Sequence, residues 1–254
     1  PVPQPEQLLA IYSRAQQGQG FYTGVAYKEF EYYHDRNDVL SSFAAYLRIP
    51  FHMRIGDVTE TAIGEVVTPE FFSALPVRTV LGRTLLTNNG TTEIPELVLS
   101  YRLWQDRFEG RSDVLGATIR LDGTPFSVDG VLEPDFSSVL MDWQQPPHFW
   151  VGMSALARTP FATLLTNWKA NSLMVVGRMK PGVTMDGVAA QFRTLDTRMS
   201  QDEPERLRAW SGSYDFQTTV LPIQRARFFP AYRESITSYV AAVAVVMGMV
   251  LLIP

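Results

Sequence analysis

The sequence predicts an α+β fold: an α/β layer of two strand–helix–strand units, an inserted mainly-β subdomain between them, and then the start of a transmembrane helix. Three observations predict it. Strand, helix and strand follow one another near the front of the chain (residues 8–54) and again near its back (173–221). Between these units, Asp122-Gly123 sits at the centre of an alternating segment, which is a strong hairpin signal. Beyond Glu234 there is no charge in residues 235–254, SITSYVAAVAVVMGMVLLIP.

The elements follow in order. Pro1, Pro3 and Pro5 read as an extended linker. Residues 8–12 (LLAIY) are a short apolar strand and 16–24 (QQGQGFYTG) a loop. Residues 25–36 carry aromatics at 27, 30 and 33 among charges, which suits one helix face. Residues 43–54 are strand-like, 55–57 turn the chain, and 61–67 run back as a strand. Thr68-Pro69-Glu70 opens a short helix, with Thr68 as cap and Phe71, Phe72 and Leu75 as apolar contacts. A strand at 97–100 leads to Ser100, which can cap a helix over 101–108 carrying Leu103, Trp104 and Phe108; Gly110 stops it.

The two-residue turn at Asp122-Gly123 sets a register over 117–132. It places Leu121 opposite Thr124, Ile119 opposite Phe126 and Ala117 opposite Val128, all on one face, with Arg120 and Pro125 on the other. Residues 133–171 are rich in Trp and Pro and read as loops and short strands. A strand at 174–179 is followed by the turn Lys180-Pro181-Gly182. Thr184 caps a helix whose stripe is Val188, Phe192, Leu195 and Met199; residues 202–204 end it and 216–221 form another strand.

The charge-free run has the length to cross a bilayer core of about 30 Å. Val240, Val243, Val246, Val250 and Leu251 are among the residues that leave it no polar face. The chain ends inside the run, so it is expected to be a piece of a longer protein. Its first residues lack the basic region and apolar core of a signal peptide, which places any export signal upstream of residue 1.

Composition removes several functions. With no cysteine there is no disulfide scaffold, cysteine-zinc site, iron–sulfur cluster or thiol nucleophile. Twenty-two Lys and Arg against 26 Asp and Glu give a net charge of −4 and no electrostatic reason to bind nucleic acid. An apolar fraction of 46% excludes a wholly disordered chain.

Chemistry-bearing sets are sparse. HExxH, GxSxG and the phosphate loop GxxxxGK[ST] are all absent, so the routes to zinc proteolysis, serine hydrolysis and ATP binding that those motifs mark are missing. Glycines 18, 20 and 24 lack the strand-to-helix context of a dinucleotide site. His34 could share a helix face with Glu31 and Asp38, an arrangement that solvated helix charges explain better than a metal. His52 and His148 read as packing or hydrogen-bonding residues. Asp129 and Glu133, with Asp142 nearby, could serve a glycan hydrolase, and Trp143, Phe149, Trp150 and Trp168 could stack on a sugar. Core packing is the more ordinary role of those rings.

The best-patterned stretches carry no such chemistry. Residues 97–136, LVLSYRLWQDRFEGRSDVLGATIRLDGTPFSVDGVLEPDF, closely resemble the periplasmic core domain of MacB-type ABC transporter permeases, in the orphan branch with FtsX-like membrane domains. The matching residues are Ser100, Trp104, Phe108, Leu115, Gly116, Gly123, Val128, Gly130, Val131, Pro134 and Phe136. Upstream, 66–85 matches through Pro69, Phe71, Phe72, Leu75, Gly82 and Arg83. Downstream, 177–192 matches through Lys180, Pro181, Gly182 and Val183.

The resemblance implies a porter-like subdomain built from 1–67 and 169–232, an inserted sabre-like subdomain over 68–168, and a membrane helix starting at 235–254. It implies a non-catalytic domain on the extracytoplasmic side of the bacterial inner membrane, with no cofactor. ATP hydrolysis would belong to a separate ABC ATP-binding subunit. The expected partners are that subunit, the membrane, a second permease copy in a homodimer or pseudo-dimer, and a periplasmic adaptor or hydrolase. The motif residues read as packing and turn positions rather than catalysts.

Overall fold

The computed structural model of the chain describes residues 5–15, 22–75, 77–85, 94–136, 146–209 and 216–226. The Pro1 and Pro3 linker, most of the loop at 16–24, Asp142, Trp143 and the run at 235–254 lie outside the described residues. Among the described residues no helix is long and apolar enough to cross a membrane.

The front unit is β1 (Leu8–Ala15), the short β2 (Tyr22–Thr23), α1 (Tyr27–Arg36) and β3 (Leu40–Ile55). The chain returns as β4 (Val58–Val67) and α2 (Phe71–Ala74). The middle block holds β5 (Thr79–Gly82), β6 (Glu96–Leu99), α3 (Tyr101–Phe108), β7 (Thr118–Leu121), β8 (Thr124–Leu132) and β9 (Phe149–Gly152). The back unit is β10 (Met174–Met179), α4 (Met185–Asp202), α5 (Pro204–Ala209) and β11 (Phe216–Pro222).

The front and back units interleave. Their strands lie in the order β11-β1-β10-β3, each antiparallel to its neighbour. Each strand–helix–strand crossover therefore spans one strand of the other unit, and neither unit can form its sheet alone. α1 and α4 cover one face of this layer. Tyr33 of α1 meets Phe192 of α4 edge-on at 5.3 Å, and Phe192 lies 5.9 Å from Phe43 of β3. The predicted stripe Val188, Phe192, Leu195 and Met199 is buried there.

β3 then leaves the layer and builds a second body. Its first half pairs with β10, up to Tyr46 opposite Met174. From Tyr46 to Ile55 it pairs with β4. β4 pairs with β9, β9 with β6, β6 with β8 and β8 with β7. β7 returns to β3 at Met53 and Arg54. The six strands close on themselves as a small barrel, which leaves them no free edge along that circuit. Its interior is filled by side chains: Phe51, Leu97, Leu99, Ile119, Leu121, Phe126, Val128 and Phe149 are each at most 1% exposed.

Burial along β3 records the change of surroundings. Residues 43–47 are buried in succession, because apolar side chains cover both faces. Beyond them Ile49, Phe51 and Met53 point inward, while Pro50, His52 and Arg54 alternate outward. Pro50 falls between the stretches paired to β10 and to β7, where a missing backbone donor breaks no ladder on that flank.

The hairpin forms as the sequence predicts. Leu121 faces Thr124 and Ile119 faces Phe126, with Asp122 and Gly123 at φ 47° and 85°. Ser100 caps α3 by accepting from the Leu103 N–H at 3.1 Å, and Thr184 caps α4 by accepting from Gly187 at 3.2 Å. Thr68 differs from expectation. Its hydroxyl accepts the Ala45 N–H at 3.0 Å, and its carbonyl, not its side chain, receives the Phe71 N–H that opens α2. α5 and β5 were not predicted, being short and without periodicity.

Gly82 of β5 faces Gly130 of β8 in a close crossing. At φ 64°, a Cβ on Gly82 would lie 2.1 Å from the Asp129 carbonyl oxygen. Gly82→Ala is therefore expected to lower unfolding free energy by about 2–4 kcal/mol, the sum of left-handed backbone strain and overpacking. Gly123→Ala, whose Cβ would meet open space, should cost only the strain, about 1–2 kcal/mol. Urea midpoints at unchanged slope measure the difference.

Candidate functional site

Two buried polar locks tie distant elements of the molecule together. The first ties the front unit to the back unit. Glu29 of α1 and Arg206 of α5 form an ion pair at 2.5 Å, with side chains only 1% and 5% exposed. Glu29 is the third residue of its helix and reaches back to the Ala26 N–H at 3.3 Å, which supplies the acceptor that an alanine cap lacks. Ser13 of β1 donates to the same carboxylate at 3.4 Å. Arg206 also donates to the Phe216 carbonyl at 3.3 Å, where β11 begins.

Beside this pair, the Tyr33 hydroxyl donates to Asp196 of α4 at 2.5 Å. Asp196 accepts the Thr218 N–H of β11 at 2.8 Å through its other oxygen. Burial, with the Asp196 carboxylate next to it, pushes the Tyr33 phenol well above its usual range. Tyr32 repeats the pattern on Asp202 at 2.6 Å. Between them these contacts join β1, α1, α4, α5 and β11.

The second lock sits where β3 and β4 enter the barrel. Glu65 of β4 is fully buried and accepts the Trp150 indole N–H at 2.6 Å and Arg48 Nε at 3.3 Å. Trp150 is on β9 and Arg48 on β3, so three adjacent strands share one carboxylate. Nothing in the sequence marks Glu29 or Glu65 as buried; Arg206 and Trp150, one partner of each, lie 177 and 85 residues away.

The motif residues fall on turns, caps and packing positions. Phe71 and Phe72 pack edge-on at 5.3 Å under α2, and Phe71 also meets Tyr46 of β3 at 5.5 Å. Ser100 is the α3 cap. Trp104 and Phe108 are half-buried, and the Trp104 indole donates to the Arg111 carbonyl at 2.8 Å. Gly116 and Gly123 lie in turns on either side of β7, Gly130 is on β8 opposite Gly82, and Pro181-Gly182 forms the turn before α4. Pro134 and Phe136 line a groove of about 300 Å³ with Ser100 and His148.

The other candidates are drawn into separate contacts. Asp129 pairs with Arg83 at 2.5 Å, while Glu133 accepts the Arg78 N–H at 3.3 Å. Phe149, Trp150 and Trp168 are buried, so they offer no open stacking face for a sugar. His148 Nδ1 accepts the Ile63 N–H at 3.1 Å, and His52 Nδ1 lies 2.8 Å from Asp122 at the hairpin tip. Among the described residues no group of three His, Cys, Asp or Glu side chains is placed to hold a metal. His34 does not meet Asp38. It faces Asp35 and Glu70, at the edge of a cleft of about 590 Å³ between α1, the turn at 67–70 and residues 152–154.

Three solved structures share this fold. The periplasmic region of MacB from Actinobacillus actinomycetemcomitans matches with a TM-score of 0.58 at 13% identity, covering 93% of this chain and 94% of that one. A domain assigned to a permease protein of Porphyromonas gingivalis matches at 0.62 and 15% identity, covering 87% and 92%. The extracellular domain of the noncanonic ABC-type transporter YknZ from Gram-positive bacteria matches at 0.54 and 12% identity, covering 84% and 99%. No curated protein sequence matches significantly. The family model of the MacB-like periplasmic core domain matches residues 2–195, and the chain belongs to that family.

The first lock is directly testable. Arg206→Met leaves Glu29 buried without its countercharge and is expected to cost about 3–5 kcal/mol of stability. The double variant Glu29→Met with Arg206→Met should recover part of that loss. Trp150→Phe removes one donor from Glu65 and should cost about 1–3 kcal/mol by the same denaturation measurement.

Proposed function

We propose that this domain is the extracytoplasmic part of an ABC transporter permease in the bacterial inner membrane. It carries conformational change, driven by ATP hydrolysis on a separate ATP-binding subunit, to substrate export or signalling. The domain itself does no covalent chemistry.

The observation that carries this reading is the placement of the chain ends. β1, where the described sheet begins, and β11, where it ends, run side by side and antiparallel, with Leu9 opposite Pro222. Both connections therefore leave at one end of one sheet, and a displacement applied there acts on both together. β10 and β3 extend the same layer, and β3 continues into the barrel. Movement of the ends thus has an unbroken hydrogen-bonded path to the far body.

In this reading 1–67 and 169–232 are the porter-like subdomain and 68–168 the inserted one, with β3 and β4 lending two staves to the insert. The charge-free run at 235–254 begins the membrane helix. A second permease copy and a periplasmic adaptor or hydrolase are the partners it would meet.

Two measurements test the proposal. An alkaline phosphatase reporter fused after residue 226 should be active; activity confined to a cytoplasmic reporter would sink the reading. In the full permease, replacing residues 8–222 by a short linker is feasible because those ends are adjacent. Membrane insertion and basal ATP hydrolysis should persist, while the efflux or growth phenotype that the intact permease rescues is lost. Full rescue by the shortened protein would refute a transmitting role.

A further inference from the structure

The cleft beside α1 has an uneven charge. Its lining includes the carboxylates of Glu31, Asp35 and Glu70, and His34 is the one basic side chain among its lining residues. Tyr27, Phe30, Val67, Leu85 and Met153 supply its aromatic and apolar wall. The nearby cations of α1 are turned to aromatic faces. Lys28 Nζ lies 5.2 Å from the centre of the Trp168 ring, and the Arg36 guanidinium 3.9 Å from that of Tyr32.

His34 spans two elements. Its Nδ1 lies 3.4 Å from an Asp35 carboxylate oxygen on α1, and its Nε2 lies 3.6 Å from a Glu70 oxygen in the turn between β4 and α2. Both ring nitrogens thus face carboxylate oxygens. An ionised carboxylate only accepts. A neutral imidazole has one N–H and one lone pair, so it satisfies one carboxylate and turns a lone pair on the other. The imidazolium carries an N–H on each ring nitrogen and is attracted to both carboxylates. The Phe30 and Phe43 rings lie beside it, with centres 5.6 and 6.3 Å from that of the imidazole.

We propose that His34 is a pH-sensitive clasp: protonation draws the turn at 67–70 towards α1 through Glu70 and narrows the cleft between them. A domain outside the cytoplasm meets the pH of its surroundings, and imidazole is the side chain that changes charge across the ordinary range. The neighbouring groups enter the same balance. From α1, Glu31 is held above the usual carboxylate range chiefly by burial, and the Tyr27 phenol is pushed up to about 12, by burial and then by Glu31. From the turn the facing charge is Glu70. From β3 it is the uncharged Phe43 ring, and residues 85 and 152–154 bring no charge. The clasp is partly open to water, with His34 and Glu70 side chains 38% and 35% exposed, so its effect is modest and falls with salt.

Amide hydrogen exchange on the full chain, corrected for intrinsic rates, tests this. Protection of residues 68–74, taken relative to the hairpin at 118–128, should rise about two- to fivefold between pH 8 and pH 5. His34→Gln and Glu70→Gln should each abolish the rise. Glu31→Gln, which leaves both partners of His34 in place, should keep it. A wild-type ratio that ignores pH overturns the clasp. So does a rise that survives either of the first two substitutions, or one that vanishes with Glu31→Gln.

Discussion

The long strand β3 is the constraint on which the remaining architecture rests. It is an edge of the interleaved α/β layer and a stave of the barrel within one unbroken run from Leu40 to Ile55. A strand flips every side chain if its register slips by one residue. Here a slip would turn Ile49, Phe51 and Met53 outward and carry Phe43, Ala45 and Leu47 to the opposite covered face, breaking up one apolar cluster that holds all six. The cluster passes from beneath α1 and α4 into the barrel interior without a break, so the register of one body fixes that of the other. The two bodies are mechanically one along this line even though the sequence reads as two.

The polar locks resolve what apolar packing leaves open. Hydrophobic burial is non-directional and would tolerate small shifts of one strand or helix over another. A buried carboxylate is not tolerant, because losing any donor exposes it to a large desolvation cost. Glu65 requires β3, β4 and β9 to be in place at once, since Arg48 and Trp150 come from the two flanking strands. Glu29 requires the same of β1, α1 and α5, with Arg206 carrying the requirement on to β11. The first lock joins β1, α1, α5 and β11 within the layer, and the second meets β3 midway along its length at Arg48.

Local signals made much of the fold legible. The Asp122-Gly123 turn, the Ser100 and Thr184 caps and the Val188-to-Met199 stripe each depend on residues within a turn or two, and each is found where the sequence places it. What stayed hidden is long-range. Interleaving of the two units, the parallel pairing of β4 with β9 and of β6 with β8, and closure through β7 are choices of partner, not of local conformation. Glu29 and Glu65 read as ordinary strand and helix charges because the groups that make their burial tolerable are distant in sequence. Thr68 shows the same limit on a small scale: its residue type suits a helix cap, yet a strand N–H on Ala45 competes for the hydroxyl and holds it.

The candidate site was legible in a different sense. The residues carrying the family resemblance are mainly glycines, prolines, aromatic and aliphatic side chains and one capping serine, joined by Arg83 and Lys180, a set suited to shaping backbone and packing rather than moving protons or electrons. Their positions agree with that chemistry, since Gly82 and Gly130 let two strands meet and Phe71 anchors α2 on β3. Many of the more reactive side chains are engaged in structure: Glu29, Glu65 and Asp196 hold strands and helices, Asp129 answers Arg83, and His148 accepts a backbone N–H. Under the proposed function these contacts would hold the layer and the barrel in register, and the partly solvated cleft at His34, where α1 meets a short turn instead of a paired strand, is where that proposal lets the domain yield.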